Sequence, residues 1–141
     1  MGTHGYSLRT TATPSAVWRL WSNVQTWPEW NPDVTAITLD GPFAAGTRGR
    51  MTTGRGGAHA IRLARVEPGR SFELETAPAP LATLVFRCDV QPEADGSRIS
   101  QSVAMRGPLG WLYSMLMGRQ MARAFETILR GLASRAEHQE V

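Results

Sequence analysis

The sequence predicts an α+β domain in which one antiparallel sheet packs against a long C-terminal helix. Three features indicate this class: a tryptophan-rich segment near the N-terminus, a series of strand-length segments of alternating polarity, and an amphipathic C-terminal segment. A chain of 141 residues is long enough for one domain that buries about two-thirds of its unfolded surface. Because no linker interrupts the pattern, we expect a single domain over residues 1–141.

The first two elements are expected to be a strand over residues 6–13 and a short helix. Thr13 has the side chain of an N-cap, and Pro14 takes the first helical position, where its missing N–H costs nothing. Val17 and Leu20 follow at helical spacing, so this helix presents an apolar face.

A second short helix is predicted to start near Trp27. Thr26 and Glu29 have the spacing of a capping box, which satisfies backbone N–H groups at a helix start. The Asn31-Pro32 pair is expected to end this helix, because the residue before a proline is disfavoured in helical conformation.

Four of the five tryptophans fall within thirteen residues, at Trp18, Trp21, Trp27 and Trp30. Each ring carries a large apolar surface, so a group this dense must meet a core or line a cavity. We expect Trp27 and Trp30 to pack the short helices against the sheet and to border one end of any cavity.

Turn signals at strand-length intervals predict an antiparallel meander from residue 34 to residue 106. They are Asp40-Gly41-Pro42, Gly54-Arg55-Gly56-Gly57, Glu67-Pro68-Gly69, Ala77-Pro78-Ala79-Pro80 and Asp95-Gly96. Glu67-Pro68-Gly69-Arg70 suits a type II turn, with proline second and glycine third.

Between the turns, apolar residues recur with a period of two, which is typical of a sheet with one apolar face. The apolar register comprises Phe72, Leu74, Thr76, Leu84, Phe86, Cys88, Val90, Ile99, Gln101, Val103 and Met105. The acids Glu73, Glu75 and Asp89 fall in the opposite, wet register. No carboxylate pair is therefore expected to face the sheet's apolar side.

The last segment predicts a helix over residues 109–137 whose apolar residues are spaced by three and four. This stripe comprises Trp111, Met115, Gly118, Ala122, Phe125, Leu129, Leu132 and Ala136. Tyr113 is expected to face outward. The apolar face of the sheet is the partner that such a stripe requires.

Composition argues against several classes of function. The net charge of +3 comes from fifteen arginines and twelve acids that are spread along the chain, so we expect no nucleic-acid binding. Three scattered histidines (His4, His59 and His138) and one cysteine predict neither a metal site nor a disulfide. No sequence motif indicates a cofactor, a signal peptide or a membrane span, so we expect a cytoplasmic protein.

Small residues on the facing surfaces suggest space between the helix and the sheet. Gly118 and Ala122 lie on the helix stripe, and Ala82 begins the apolar register of a central strand. Such residues either leave a cavity or allow the helix and the sheet to touch. A cavity would suit an apolar ligand.

Three polar residues stand in the predicted apolar registers and need partners there. His59 is either a hydrogen-bonded histidine at a strand end or a catalytic group. Cys88 is interpreted as a small buried apolar residue. Gln101 is either structural or able to orient a ligand carbonyl or hydroxyl. Arg48, beside Gly49, would bind an anion if turned inward, although a solvated strand face is the commoner arrangement.

The chain resembles the START/Bet v 1-like (SRPBCC) superfamily, and within it the polyketide cyclase/dehydrase and lipid-transport family. The residues that carry the resemblance are residues 14–18 (PSAVW), 27–33 (WPEWNPD), Gly46-Thr47, residues 66–69 (VEPG), Asp95-Gly96 and residues 107–109 (GPL). This resemblance implies a helix-grip fold: a curved seven-stranded antiparallel sheet wrapped around the C-terminal helix, with two short helices after the first strand. It also implies a hydrophobic pocket between sheet and helix.

The expected pocket lining follows from the apolar registers and the resemblance together. It comprises Trp27, Trp30, His59, Ile61, Phe72, Leu74, Leu84, Phe86, Cys88, Gln101, Val103, Met105, Trp111, Met115, Gly118, Ala122 and Phe125. Trp111, Met115 and Phe125 are expected to be core residues as well.

Three functional hypotheses remain open at this point. The first is binding or carriage of a hydrophobic or aromatic small molecule by a monomer or homodimer. The second is a polyketide cyclase- or dehydratase-type enzyme that would use His59, Arg48 and Gln101. The third is a protein-interaction module, which ranks last because the sequence indicates no large exposed apolar patch.

Overall fold

One antiparallel sheet and one long helix dominate the computed structural model, which describes residues 3–54, 57–79 and 81–139. The strands are β1 (Thr3–Thr10), β2 (Val34–Leu39), β3 (Arg48–Thr53), β4 (Gly57–Glu67), β5 (Ser71–Ala79), β6 (Ala82–Glu93) and β7 (Gly96–Arg106). The helices are α1 (Pro14–Ser22), α2 (Trp27–Trp30) and α3 (Gly110–Gln139), with a 3-10 turn (Val24–Thr26) after α1. The predicted α+β class and the predicted order of elements are confirmed.

The seven strands follow the order β1-β7-β6-β5-β4-β3-β2, and every neighbouring pair is antiparallel. The chain crosses from one edge of the sheet to the other through α1 and α2. Register shifts in β2, β4 and β5 interrupt the ladders, and such bulges bend the strands that carry them. The sheet is therefore curved over the side that faces α3.

The turn between β4 and β5 has the predicted type II geometry. The Arg70 N–H donates to the Glu67 carbonyl at 2.9 Å, and Gly69 has a φ of +80°. This positive φ suits glycine, which has no Cβ to clash. Two other predicted turns lie partly outside the described residues, at Arg55-Gly56 and at Pro80.

The first strand ends three residues earlier than predicted. The Thr10 hydroxyl accepts the Ala12 N–H at 3.1 Å, and this local bond turns the chain out of β1. The start of α1 is as expected: Thr13 Oγ1 accepts the Ala16 N–H at 3.2 Å, with Pro14 at the first helical position.

Helix α2 starts and ends where predicted, but its capping box is absent. Thr26 has helical φ and ψ, and its side chain makes no capping bond. Its hydroxyl instead accepts the Trp30 indole N–H at 3.1 Å. Glu29 is drawn away from the helix start because it forms an ion pair with Arg135 of α3.

The apolar stripe of α3 is covered only from its third turn onward. Phe125, Leu129, Leu132 and Ala136 are buried, as predicted. Trp111 and Met115 are 57% and 75% exposed, so their expected place in the core is wrong. Helical spacing shows which residues share a face, but it does not show how far the covering sheet extends along the helix.

Two neighbouring residues also depart from expectation at the start of α3. Tyr113 packs against the core and does not face outward. Leu116 is 69% exposed and, with Trp111 and Met115, forms an apolar surface that the sequence did not indicate. The expectation that no such patch exists is corrected by this surface.

The C-terminal half of α3 is held against α2 by a close backbone contact. A Cβ added at Gly131 would lie 2.4 Å from the Trp30 carbonyl oxygen, so any side chain there would push the helices apart. The ion pair between Arg135 and Glu29 lies one turn further along. These contacts fix the distance of α3 from the tryptophan-rich segment.

We predict that Gly131→Ala destabilises the fold by about 1–3 kcal/mol through this clash. Helix propensity alone would favour alanine by about 1 kcal/mol, so the two effects have opposite signs. Urea denaturation measures the difference, with Ser134→Ala as the control at an exposed position of the same helix. A Gly131→Ala variant that is more stable than wild type would contradict the contact.

Candidate functional site

A cavity of about 820 Å³ lies between the sheet and α3. Its walls are the tryptophan-rich segment, the segment over residues 31–34, strands β3, β5, β6 and β7, and the middle of α3. The position is the one predicted from the apolar sheet face and the helix stripe.

The aromatic wall of the cavity is built around Phe72 of β5. Its ring centroid lies 5.5 Å from that of Trp21 and 5.9 Å from that of Trp27. The Trp27 indole N–H donates to the Trp21 carbonyl at 3.0 Å, and that of Trp30 donates to Thr26. With their polar atoms satisfied within the protein, these rings are fixed and line the cavity with apolar surface.

The wall formed by α3 is a second apolar stripe. It consists of Met117, Met121, Ala124 and Ile128, spaced by four, three and four residues. Met51 of β3 adds a third methionine to the lining. Methionine side chains are flexible and polarisable, so this lining adapts to apolar ligands of different shape.

Two polar side chains face each other on the inner surface of the sheet. Cys88 of β6 pairs with Gln101 of β7 in the strand register, and both line the cavity. Within the described residues, the Gln101 amide makes no side-chain hydrogen bond. It can therefore donate to, and accept from, a polar group of a ligand or a water molecule.

The Cys88 thiol is a neutral group in the folded protein. Burial raises its pKa well above the usual range, and the neighbouring Asp89 carboxylate adds to the rise, whereas Arg87 opposes it. Nucleophilic reactivity requires the thiolate. Cys88 therefore contributes small, apolar surface to the cavity wall.

Charged side chains occur only at the rim of the cavity, as far as the described residues show. Asp33 and Arg123 line it from exposed positions on opposite elements, and Gln120 is exposed beside Arg123. The interior is lined mainly by aromatic, aliphatic and sulfur-containing side chains, with Asn31 and Gln101 as its amides. The Asn31 Oδ1 accepts the Asp33 N–H at 2.9 Å, so this amide is partly satisfied within the protein. Such a chamber favours uncharged, apolar molecules.

Eight of the predicted lining residues lie on the cavity wall: Trp27, Trp30, Phe72, Leu74, Phe86, Cys88, Gln101 and Phe125. Four others are buried in the core away from the cavity: Ile61, Leu84, Val103 and Met105. They lie on the inner face of the sheet, as predicted. However, neighbouring strands, together with α1 and α3, cover them. The same face of the sheet thus serves as core in one part and as cavity wall in another.

The predicted lining along the helix is displaced. Trp111 and Met115 are exposed, and neither Gly118 nor Ala122 borders the cavity. Apart from Phe125, the apolar residues of α3 that border the cavity lie about 100° around the helix from the predicted stripe, since each precedes a stripe residue by one position. The spacing of Met117, Met121, Ala124 and Ile128 is the sequence signal that could have identified them.

The other predicted catalytic candidates do not reach the cavity. Arg48 is exposed, because Met51 occupies the inward register of β3 and the alternation turns Arg48 outward. His59 is half-buried opposite Met51 near the start of β4, and it does not line the cavity. Gln101 is the candidate that the structure brings to the cavity wall.

Two further observations limit the kind of site. The residues that the structure describes contain no group of three histidine, cysteine, aspartate or glutamate side chains able to hold a metal ion. Over the same residues, no helix is both long and apolar enough to cross a membrane.

The sheet, the gripped helix and the cavity define a member of the START/Bet v 1-like superfamily. The chain belongs to the polyketide cyclase / dehydrase and lipid transport family, whose family model matches residues 6–137. The resemblance identified from the sequence is thereby confirmed. None of the curated proteins compared with the chain matches it.

Solved structures share this fold at low sequence identity. TTHA0849 from Thermus thermophilus is 16% identical with a TM-score of 0.77, and the alignment covers 99% of this chain and 100% of that one. StfQ, a di-domain ARO/CYC from the steffimycin biosynthetic pathway, is 14% identical with a TM-score of 0.79, over 98% of this chain and 51% of StfQ. Ara h 8.0201 is 15% identical with a TM-score of 0.67, over 94% of this chain and 99% of its own.

The buried thiol generates a prediction on pH dependence. Because the folded pKa of Cys88 is raised, its stabilising contribution is complete below the unfolded pKa of about 8.5 and is lost as pH rises above it. Above this pH, the free energy of unfolding of the wild type should fall with pH more steeply than that of Cys88→Ala. The difference in slope should be about 1.4 kcal/mol per pH unit. Urea titrations between pH 8 and 10 measure the difference. Equal slopes for the two proteins would show that the thiol ionises in the folded state.

Proposed function

We propose that the protein binds or carries an uncharged hydrophobic or aromatic small molecule in the cavity between the sheet and α3. One observation supports this most strongly: a chamber of about 820 Å³ has an interior of aromatic and methionine side chains, with charges confined to its rim. Pockets for small ligands commonly measure about 300–1,000 Å³. A lipid- or polyketide-like molecule has the apolar surface that this lining would take from water.

Gln101 gives the proposed site its polar specificity. Its amide lies beside the neutral Cys88 thiol, on a wall of the sheet whose other lining residues are mostly apolar. A ligand carbonyl or hydroxyl placed against the amide would gain a hydrogen bond in a poorly hydrated environment. We therefore infer a ligand with an apolar body and a carbonyl or hydroxyl group within it.

The second candidate function is catalysis of cyclisation or dehydration on such a ligand. The family to which the chain belongs and its likeness in fold to StfQ favour this candidate. His59 and Arg48 lie outside the cavity, so acid–base chemistry would depend on Gln101 and bound water. Catalysis here would consist mainly of holding a reactive chain in a folded conformation.

A cavity-filling variant tests the proposed binding site. We expect N-phenyl-1-naphthylamine, a neutral aromatic probe, to bind wild type with a rise in fluorescence, and Ala124→Phe to weaken this binding at least about tenfold by filling the chamber. Ala104→Phe is the matched control, because Ala104 of β7 does not line the cavity. Failure of the wild type to bind the probe, or an equal loss in both variants, would argue against the site.

A pair of matched ligands tests the role of Gln101. We expect Gln101→Leu to weaken binding of 2-acetylnaphthalene about five- to tenfold, the value of one hydrogen bond. Binding of 2-isopropenylnaphthalene, in which a CH2 group replaces the carbonyl oxygen and the number of heavy atoms is the same, should be unchanged or tighter. Isothermal titration calorimetry measures both affinities. Equal effects on the two ligands would show that Gln101 acts only through shape.

A further inference from the structure

An apolar surface remains uncovered at the start of α3. Trp111, Met115 and Leu116 are 57%, 75% and 69% exposed. Leu81, at 61% exposed, lies beside this surface, since its carbonyl accepts the Leu109 N–H at 3.1 Å. These four are the large apolar side chains that the described part of the chain leaves exposed. They come together at one end of the molecule.

The next two turns of the same helix face are cationic. At about 100° per residue, Arg119 and Arg123 lie between the directions of Met115 and Leu116, so all four share one side of α3. Neither arginine has an ion-pair partner among the described residues. From residue 104 to residue 125 the chain contains three arginines and no acidic residue.

We propose that this face of α3 docks onto an anionic lipid surface. A helix that presents tryptophan, leucine and methionine beside arginines matches the chemistry of the membrane interface: apolar side chains enter the headgroup boundary while guanidinium groups bind lipid phosphates. Docking here requires no membrane-spanning segment.

The positive charge of this face favours an anionic lipid surface over a second copy of the chain as its partner. A two-fold dimer through this face would bring Arg119 and Arg123 of both copies to one interface, and the nearest acid on this side of α3, Glu126, is already paired with Arg130. An anionic lipid surface pairs the same charges favourably. The face therefore fits a partner that has a negatively charged surface with an apolar layer beneath it.

The docking face adjoins the cavity rim. Arg123 and Gln120 line the rim, and Met117 and Met121 of the same helix line the interior. A protein docked through the first turns of α3 would hold that rim close to the lipid. An apolar molecule would then pass between membrane and cavity with little exposure to water. The docking itself does not depend on the identity of the cavity ligand.

Co-sedimentation with vesicles tests the docking face. The full chain, without added ligand, should bind vesicles of equal parts phosphatidylcholine and phosphatidylglycerol, and should bind pure phosphatidylcholine weakly. Trp111→Ser/Met115→Ser/Leu116→Ser should lower the partition coefficient at least about tenfold. These side chains are exposed, so the thermal midpoint and probe binding in the cavity should be retained.

A charge-matched pair separates local recognition from net charge. Arg119→Gln/Arg123→Gln should lower binding about thirtyfold, whereas Arg19→Gln/Arg70→Gln, with the same change in charge at exposed positions elsewhere, should lower it much less.

Three results would overturn the proposal. One is absence of wild-type binding to the anionic vesicles. Another is equal loss in the two arginine variants, which would show adsorption by net charge alone. The third is light scattering that reveals a dimer which the triple serine variant dissociates, because a second copy would then cover this face.

Discussion

The structure depends on how closely α3 approaches the tryptophan-rich segment. Gly131 brings the helix against the Trp30 carbonyl, and the ion pair between Arg135 and Glu29 holds the same junction. Leu129 and Leu132 are fully buried in this half of α3. The middle of the helix must then cross above Phe72 without closing onto it. The cavity is thus a consequence of fixing one end of a long helix over a curved sheet.

The distribution of polarity follows from the same geometry. Strand alternation sends the arginines and acids of the central strands outward, where Arg62 pairs with Glu75 and Arg87 with Glu73. The inner face keeps mainly apolar residues, with Thr76 and Gln101 among its few polar side chains. Because desolvating an unpaired charge is costly, this interior disfavours ions, and the charged side chains of Asp33 and Arg123 lie at the rim. The proposed preference for an uncharged apolar ligand follows from this sheet register.

Periodic patterns explain which parts of this structure the sequence predicted. The period of two placed Phe72, Leu74 and Gln101 on the inner face, and the turn residues located the hairpins. Two kinds of fact lie beyond such patterns. A period does not show where the partner surface ends, so Trp111 was misplaced in the core. It also does not show which of two bonds a side chain prefers, so the capping box at Thr26 was expected although its hydroxyl binds the Trp30 indole.

Xenon binding measures the existence of the apolar chamber most directly, because xenon enters apolar cavities and is visible crystallographically without a specific ligand. A crystal pressurised with xenon should show atoms between Phe72 and Met121, inside the space bounded by α3 and the sheet. Diffraction that shows the chain's own side chains occupying this space, with no xenon in it, would contradict the proposed binding function.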